Sequence, residues 1–370
     1  MLPRPAAYMS LRIRYPAPPL LSRRLRSITR MLTPHTMDAH DGHSMDDRRG
    51  VHFGDRGDVV IRAIRYEVGE CVPLCDLVGE GLSLEEASQL LDQQILGVSV
   101  LNRPLAQAME VCIRESLQSA GIAAADIDTV ILATESFGAL FEDDVPSAAG
   151  PFRDTRNRLF LLLQRLGICR ASVLCATYGA CTNLLHAFIM AEALVIKGLS
   201  RNILIVAGEK FGAPGARLLP EAVSMAGDGV AACIVSSEAP REDGAFRLAY
   251  VGTRPYKQVD DRTKMLLEMF YAMRNAAADC YEACNLQPAD FRWIVVGDYN
   301  TLTSVTHGKL LGFPPDRVFL KNVGQLGHIP FDPLINLANL TREQLIATTE
   351  RVLLFLCGPV YCGAIALEAI

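Results

Sequence analysis

Cys181 has the sequence surroundings of a nucleophile. Small residues lead up to it, and an almost wholly apolar segment over residues 184 to 196 follows, which predicts a helix buried on all sides. The first turn of a helix offers unpaired backbone N–H groups and about half a positive charge, which favours the thiolate form of a cysteine. Such a thiolate attacks thioesters readily. The alternative, for this and the other ten cysteines, is a small core side chain.

His328 is the strongest candidate for a base beside Cys181. Only His186, His307 and His328 lie in the part of the chain that is predicted to fold. His186 falls on the buried helix, where a hydrogen-bonded core position is expected. His307 falls in the middle of another helix, where a structural or exposed position is expected. His328 precedes Asp332 by four residues, a spacing that puts imidazole and carboxylate on one helical face, where the carboxylate can fix the tautomer. A purely structural His328 is the alternative.

The elements that must position these residues occur twice. A helix over residues 106 to 120, an Ala-Asp turn and an apolar strand over residues 129 to 134 form the first set. A helix over residues 265 to 284, a second Ala-Asp turn and an apolar stretch over residues 293 to 298 repeat that order. A repeat of this kind predicts an α/β protein made of two similar halves.

Three segments of the chain match one enzyme family in order and spacing. They are the stretch from Cys181 to the strand end at Glu209, residues 225 to 232, and residues 356 to 364. They resemble the type III β-ketoacyl-acyl-carrier-protein synthases of the thiolase superfamily, in particular the acyltransferase-like subgroup. The resemblance implies a five-layer α-β-α-β-α fold. It also implies that one inner helix begins at Cys181, that the other begins near residues 327 to 328, and that they meet at the active site.

The chain departs from this family at two catalytic positions. Residues 293 to 300 fall on the family motif Trp-Leu-Val-Pro-His-Gln-Ala-Asn, with Gly297 in the place of the catalytic His. His328 falls where the family has its catalytic Asn. In the family these two residues hold the thioester carbonyl of the second substrate during decarboxylation, so their loss disfavours condensation. Asn300, which matches the last Asn of the motif, is kept as a further candidate catalytic residue.

Two more site residues are implied by resemblance. Gly358 matches the family glycine whose N–H completes an oxyanion hole together with the N–H of Cys181. Glu135 ends a buried strand and resembles the acid/base Glu of the 3-hydroxy-3-methylglutaryl-CoA synthases; a solvated Glu is the alternative. Those synthases also offer a rival frame in which Thr177 is the nucleophile. An unactivated hydroxyl attacks thioesters poorly, which favours Cys181.

These residues support an acyltransferase as the first hypothesis. Cys181 would take an acyl group from a thioester and pass it to an acceptor, with His328, oriented by Asp332, as the base. Leu91 and Ile95 stand where CoA-using relatives carry a Trp and an Arg, so an acyl-carrier protein is the expected partner. The resemblance implies a homodimer in fatty-acid, polyketide or secondary-metabolite biosynthesis. The alternatives are a decarboxylative β-ketoacyl synthase and a non-catalytic ketosynthase-like subunit of a heterodimer.

Composition argues against several other classes. Half of the 370 residues are apolar and the net charge is -5, which suits a globular enzyme and argues against nucleic-acid binding. Eleven cysteines without a regular framework, and no clean apolar signal segment, predict a cytoplasmic protein without membrane contact. The pairs Cys71/Cys75 and Cys280/Cys284 lack the further ligands of a metal site, so neither a metal nor a cofactor is predicted.

Residues 1 to 57 differ from the rest of the chain. Seven arginines precede the first acidic residue, Asp38, and four of the seven histidines fall here. This composition predicts a disordered extension, explained either by a transit peptide or by a misplaced start codon. The expected organisation is therefore an extension over residues 1 to 57, a first thiolase-like half over residues 58 to 240 and a second over residues 241 to 370.

Overall fold

The computed structural model describes residues 58–136, 151–212, 214–237 and 244–370. The extension predicted over residues 1 to 57 lies outside these ranges. The expected boundary at residues 240 and 241 also falls between described ranges and stays a prediction. Among the described residues, no helix combines the length and the apolar composition that crossing a bilayer requires.

The described strands form one nine-stranded sheet and one two-stranded sheet. They are β1 (Val60–Val68), β2 (Glu70–Pro73), β3 (Gly97–Val100), β4 (Thr129–Ala133), β5 (Ser172–Ala176), β6 (Asn202–Glu209), β7 (Gly229–Ser236), β8 (Phe246–Pro255), β9 (Trp293–Val296), β10 (Arg351–Cys357) and β11 (Tyr361–Ala369). The large sheet has the order β5-β4-β6-β7-β1-β8-β11-β10-β9, and β2 pairs with β3. β1 and β8 pair through only two residues each. This short pairing joins the two halves of the large sheet.

The two sheet halves share one pattern of strand directions. In the first half, β4 is parallel to β5 and β6, and β6, β7 and β1 then alternate in direction. In the second half, β9 is parallel to β10, and β10, β11 and β8 then alternate. A parallel bridge between Ile294 and Val318 takes the place that β5 has in the first half. The prediction of two similar α/β halves is therefore confirmed.

The helices cover and separate these sheet halves. They are α1 (Leu74–Leu77), α2 (Leu84–Asp92), α3 (Leu105–Ala120), α4 (Pro151–Arg165), α5 (Asn183–Ile196), α6 (Arg262–Cys284), α7 (Thr301–Leu310) and α8 (Asp332–Arg342). α3 packs on β1, β6 and β7 from one outer side, and α6 packs on β8 and β11 from the other. α5 and α8 share one core with strands of both halves, so they form the middle of the predicted five-layer stack.

The apolar composition of α5 follows from its place between the sheet halves. It contacts β4, β5 and β6 on one side and β8 and β11 on the other. Leu184, Leu185, Ala187 and Phe188 are all buried. A helix that faces protein on every side has no need of a polar stripe, which is why its sequence shows none.

Both inner helices begin later than the sequence predicts. Cys181 lies in a 3-10 turn over Ala180–Thr182, just ahead of α5. His328 lies outside α8, which begins at Asp332. The physical reason in the second case is Pro330, because a proline disfavours the helical conformation of the residue before it. His328 therefore reaches its neighbours from a loop and not from a helical face.

Candidate active site

Cys181 and His328 meet where the two inner helices begin. The distance from Cys181 Sγ to His328 Nε2 is 2.9 Å, which allows a base to accept the thiol proton. His328 is only 3% exposed, whereas Cys181 is half-buried, so a substrate can reach the sulfur while the imidazole stays shielded. The rival nucleophile, Thr177, lies in the loop ahead of this turn. It is the Cys181 side chain that contacts the imidazole.

Asp332 holds the other side of the imidazole. Its Oδ2 lies 2.7 Å from Nδ1 of His328, and the carboxylate is 2% exposed. A carboxylate on Nδ1 fixes the tautomer and leaves Nε2 facing the sulfur. The structure thus brings Cys181, His328 and Asp332 together in one line of contacts, and their catalytic roles stay predictions.

A series of buried polar groups continues behind Asp332. The Asp332 Oδ2 atom also accepts a hydrogen bond of 2.7 Å from the backbone N–H of Asp298. The two carboxylate oxygens of Asp298 accept from the side-chain amide of Asn336 at 3.0 and 2.9 Å. The Asn336 carbonyl oxygen in turn accepts from Asn322 at 2.8 Å. Because these groups are buried and hydrogen-bonded to one another, they restrict the position of Asp332.

The charged groups of the site shift one another's pKa values. Burial by itself lowers the pKa of His328, but the negative charges of Cys181 and Asp332 outweigh burial and raise that pKa well above its ordinary value. Burial, together with the charge of Asp332, raises the pKa of Asp298. The surroundings therefore favour a protonated imidazole beside the sulfur of Cys181.

Two glycines allow the His328 segment to lie close to the Met225 segment. The His328 N–H donates to the Met225 carbonyl at 2.7 Å, and the His328 carbonyl accepts from the Gly227 N–H at 3.0 Å. A Cβ on Gly227 would overlap the Leu326 carbonyl oxygen. A Cβ on Gly327, which has a φ of 68°, would overlap the Met225 carbonyl oxygen. Glycine at both positions permits the backbone approach that places His328.

The turn that carries Cys181 has an unusual backbone. Tyr178 and Ala180 have φ angles of 68° and 46°, in the left-handed region that residues with a Cβ rarely adopt. The Ala180 N–H donates to Glu135 Oε1 at 2.7 Å, and the Asn183 side chain donates to the same oxygen at 3.4 Å. Strained conformations persist where surrounding contacts impose them. Glu135, at the end of β4, supplies such a contact.

A buried carboxyl group lies behind Glu135. Glu209 ends β6, and its Oε1 accepts from the backbone N–H of Glu135 at 2.7 Å. Its Oε2 accepts from the Ser136 hydroxyl at 2.5 Å. Burial raises the pKa of Glu209 to about 7, against the opposing effect of the Ser136 hydrogen bond. The loop after β4 is thus fixed by a carboxyl group that titrates near neutral pH.

Gly358 lies against the Cys181 turn, but its N–H is already paired. It donates to the Tyr361 carbonyl at 2.8 Å within the hairpin of β10 and β11. A Cβ at this position would lie 2.7 Å from the Gly179 carbonyl oxygen and 3.2 Å from Cγ2 of Thr182. The hairpin thus uses the N–H, and the close approach of the hairpin to the turn explains why a glycine is present. The oxyanion role of Gly358 stays a prediction.

Asn300 has a structural role at the start of α7, and its catalytic role stays a prediction. Its Oδ1 accepts from the Thr303 N–H at 2.8 Å, which caps α7. Its Nδ2 donates to Gln93 Oε1 and to the Val223 carbonyl, both at 2.8 Å. Asparagine is a favoured N-cap residue, so the helix start explains its presence.

His186 and His307 have structural surroundings. His186 packs edge-to-face on Tyr361 with ring centroids 5.2 Å apart, and burial lowers its pKa. His307 is buried on α7, where burial lowers its pKa to about 4. A neutral, buried His307 agrees with the structural alternative for this residue and not with the exposed one.

The space beside Gly297 is occupied by an aromatic ring. A Cβ on Gly297 would lie 2.8 Å from Cε2 of Tyr299 and 3.2 Å from Cε1 of His328. The Tyr299 ring stacks on the imidazole of His328, with centroids 4.3 Å apart and an angle of 30° between the planes. A side chain at position 297 would therefore displace one of the two rings.

Five residues of the site were not predicted from the sequence, and only one of them has a local sequence pattern that indicates its place in the site. Asn336 lies four residues after Asp332 on the same face of α8, so a buried polar stripe on an apolar helix could have identified it. The others come from strand ends and loops that meet only in the folded protein. The five are Glu209, Asp298, Tyr299, Asn322 and Asn336.

Solved structures share this fold, whereas no protein-family model matches the chain. The acyltransferase ChlB3 is 16% identical with a TM-score of 0.69, over 85% of this chain and 98% of that protein. The 3-oxoacyl-[acyl-carrier-protein] synthase III of Aquifex aeolicus is 17% identical with a TM-score of 0.64, over 84% and 99%. OleA of Xanthomonas campestris, with bound lauric acid and lauroyl-CoA, is 14% identical with a TM-score of 0.66, over 85% and 99%.

These similarities establish the fold. Each alignment covers nearly the whole of the similar protein and the larger part of this chain. The predicted resemblance to type III β-ketoacyl synthase-like proteins, and with it the thiolase-like fold, is confirmed.

Proposed function

We propose that this protein is an acyltransferase that carries the acyl group on Cys181. The contacts from Cys181 Sγ to His328 Nε2, and from His328 Nδ1 to Asp332 Oδ2, support this function most directly. They supply a nucleophile, a base and an orienting carboxylate in line.

The first half-reaction loads the enzyme. His328 accepts the thiol proton at Nε2, and the Cys181 sulfur forms a bond to the thioester carbonyl carbon while the carbonyl electrons move to oxygen. The N–H of Cys181 is the proposed donor to this oxyanion. As the intermediate collapses, the bond to the leaving sulfur breaks, and His328 returns the proton to it. The products are acyl-Cys181 and a free thiol.

The second half-reaction transfers the acyl group. His328 accepts the proton of an acceptor hydroxyl, amine or thiol as the acceptor attacks the acyl-Cys181 carbonyl carbon. The bond from that carbon to Cys181 then breaks, and the sulfur leaves as a thiolate beside the protonated imidazole. Asp332 stabilises the positive charge in both half-reactions, because it contacts Nδ1 throughout.

The similar proteins support a thioester as the acyl donor, and the residues at positions 91 and 95 bear on which thioester it is. ChlB3 is an acyltransferase, OleA is solved with bound lauroyl-CoA, and the Aquifex aeolicus protein is a 3-oxoacyl-[acyl-carrier-protein] synthase III. Leu91 is 51% exposed and Ile95 is buried, so neither offers a cation or an aromatic face to an adenine nucleotide. We therefore propose an acyl-carrier protein as the donor, in a pathway of the fatty-acid or polyketide type.

Transfer is preferred to decarboxylative condensation because of the surroundings of Gly297. This position carries no side-chain donor, and the hydroxyl of the neighbouring Tyr299 donates its hydrogen bond to the Cys357 carbonyl at 3.0 Å. Loss of one hydrogen-bond donor to a developing oxyanion costs about 10² to 10³ in rate. Simple transfer needs only the nucleophile, the base and stabilisation of one oxyanion.

Trapping of the acyl-enzyme tests this function. The protein is incubated with acyl groups on carrier protein, on CoA and on a small thiol, and the adduct is located by peptide mass spectrometry. We expect an adduct on Cys181 that is absent from Cys181→Ala, forms about 10² to 10⁴ times more slowly in His328→Gln, and persists in the control Cys175→Ala. Chain extension with CO₂ release from malonyl-carrier protein would instead support condensation. No adduct, with slow alkylation of Cys181 by iodoacetamide, would support a non-catalytic subunit.

We also propose a homodimer that forms through β5. This strand lies at one edge of the nine-stranded sheet, and Ser172 and Cys175 on it are exposed. An edge strand carries unpaired backbone groups to which a second copy can bind. Size-exclusion chromatography with light scattering should give the mass of two chains, and the mass of one chain would contradict the proposal.

A further inference from the structure

The ring of Tyr299 contacts His328, and hydrogen bonds of its hydroxyl and of its backbone N–H fix it there. Its ring stacks on the imidazole at 4.3 Å, and its hydroxyl donates to the Cys357 carbonyl at 3.0 Å. Its backbone N–H donates to the Gly297 carbonyl at 2.9 Å, which closes a tight turn after β9. The ring therefore has a fixed place on one face of the imidazole.

Gly297 and Tyr299 form one packing arrangement. A Cβ on residue 297 would lie 2.8 Å from Cε2 and 3.2 Å from Cζ of Tyr299. Real Cβ atoms essentially never approach another atom as closely as the first distance, so any side chain here would push the ring away. The glycine thus keeps open the space that the stacked ring occupies.

The stack restrains a motion that the hydrogen bonds of His328 leave open. Contacts at Nε2 and Nδ1 fix the line through the two nitrogens, but the ring can still tilt about that line. The contact at Nε2 also changes during the proposed reaction, because the Cys181 sulfur is bonded to the acyl group after the first half-reaction. His328 is then held by Asp332 and by Tyr299 while Nε2 must point at the acceptor.

We propose that Tyr299 is a positioning residue for the second half-reaction, which keeps the His328 imidazole aligned after Cys181 has been acylated. This inference rests on the proposed acyltransferase function. It predicts that loss of the ring slows deacylation more than acylation, because the sulfur itself helps to align the imidazole only before acylation. A general loss of structure would slow both half-reactions alike.

The phenol does not compete with His328 as a base. Burial, followed by the negative charge of Cys181, raises the pKa of the Tyr299 hydroxyl well above its ordinary value. The hydroxyl therefore stays protonated and bound to the Cys357 carbonyl at neutral pH. Its hydrogen bond orients the ring and leaves the proton transfers to His328.

Separate measurement of the two half-reactions tests the inference. The probe is a hexanoyl thioester of a small thiol, with water as the acceptor, and mass spectrometry follows the formation and loss of hexanoyl-Cys181. In Tyr299→Leu we expect acylation within about threefold of wild type and deacylation about 10 to 100 times slower. Tyr299→Phe keeps the ring and should rescue most of the deacylation rate. Tyr271→Leu, which removes an exposed tyrosine on α6, is the matched control.

Gly297→Ala provides a second route to the same answer if Tyr299→Leu does not fold. The added methyl group should displace the ring and slow deacylation while acylation persists. Equal slowing of both half-reactions, or deacylation at the wild-type rate in either folded variant, would overturn the positioning role. If the wild-type protein forms no acyl-Cys181 from a thioester of carrier protein, of CoA or of a small thiol, the proposed function fails instead. If wild type and Tyr299→Leu form it with equal lifetimes, only the role of Tyr299 is lost.

Discussion

The two halves of the molecule hold their parts of the site in different ways. In the first half two carboxylates hold the backbone next to the nucleophile: Glu135 accepts from the Ala180 N–H, and Glu209 accepts from the N–H of Glu135. In the second half a carboxylate binds the base itself: Asp332 contacts the imidazole of His328 directly. The first arrangement therefore sets where the nucleophile lies.

The second arrangement sets how the base is oriented and charged. Asp332, Asp298 and Asn336 are buried and hydrogen-bonded in series, whereas Glu135 is exposed. Burial strengthens each electrostatic contact in that series and makes any unpaired member costly. Substitutions in the second half should thus change protonation, and substitutions around Glu135 should change mainly position. The following experiments test this difference.

The largest effect is expected from Asp332→Asn. The amide can hold the imidazole in the wrong tautomer and no longer stabilises its positive charge, so acyl transfer should fall by about 10² to 10⁴. Steady-state kinetics of acyl transfer as a function of pH measures the loss. Asp316→Asn, which removes an exposed carboxylate of the same half, is the control. Activity close to wild type in Asp332→Asn would remove the carboxylate from the mechanism.

Glu209 should make the first half sensitive to pH. Its pKa is about 7 in the folded protein and about 4.5 without burial, so its contribution to stability is fully present below pH 4.5 and is lost as pH rises through 7. Complete loss amounts to about 3 kcal/mol. In Glu209→Gln that decline should be absent from the free energy of unfolding, measured with urea between pH 4.5 and 8.

The comparison is with Glu282→Gln, a substitution of an exposed residue on α6. This control should keep the decline of the wild-type protein. An identical decline in Glu209→Gln would show that other groups cause it and that Glu209 ionises as an ordinary carboxylate.

Asn336→Leu should destabilise the second half. It removes both hydrogen bonds to the buried Asp298 carboxyl group and leaves Asn322 without its acceptor, which costs about 1 to 3 kcal/mol. Urea unfolding measures the change. The double variant Asp298→Leu with Asn336→Leu removes both partners and should recover part of the loss, since apolar pairs can replace buried polar ones. Strictly additive losses would show that the two side chains are not coupled.

A feature of this molecule could be predicted from the sequence where one continuous stretch of residues contains its pattern. The apolar segment of α5 and the Ala-Asp turns that precede β4 and β9 are continuous patterns, so the fold could be predicted from them. The proximity of Cys181, His328 and Asp332 could be predicted because each lies next to a recognisable element or at a fixed spacing. The start of α8 could not be predicted from the spacing of His328 and Asp332, because Pro330 delays the helix.

Features that depend on hydrogen-bond partners were harder to predict. The match of Gly358 to a family position indicates its location but not that Tyr361 uses its N–H. The match of Asn300 likewise does not show that its side chain caps α7. The ring of Tyr299 reaches His328 only because the chain folds back at Gly297, a contact between segments that no local pattern contains.

The smallest effect is expected at Glu135, where it separates positioning from acid/base catalysis. If the carboxylate only accepts from the Ala180 N–H, loss of that hydrogen bond in Glu135→Leu costs about 1 kcal/mol, and acylation of Cys181 slows about fivefold. Glu135→Gln keeps an amide oxygen as acceptor and should retain most of the rate. If instead Glu135 transfers protons, Gln cannot replace it, and the rate should fall by about 10² to 10⁴. Single-turnover acylation, followed by mass spectrometry across pH 5 to 9, distinguishes the two, because only a proton-transfer role changes the shape of the pH profile.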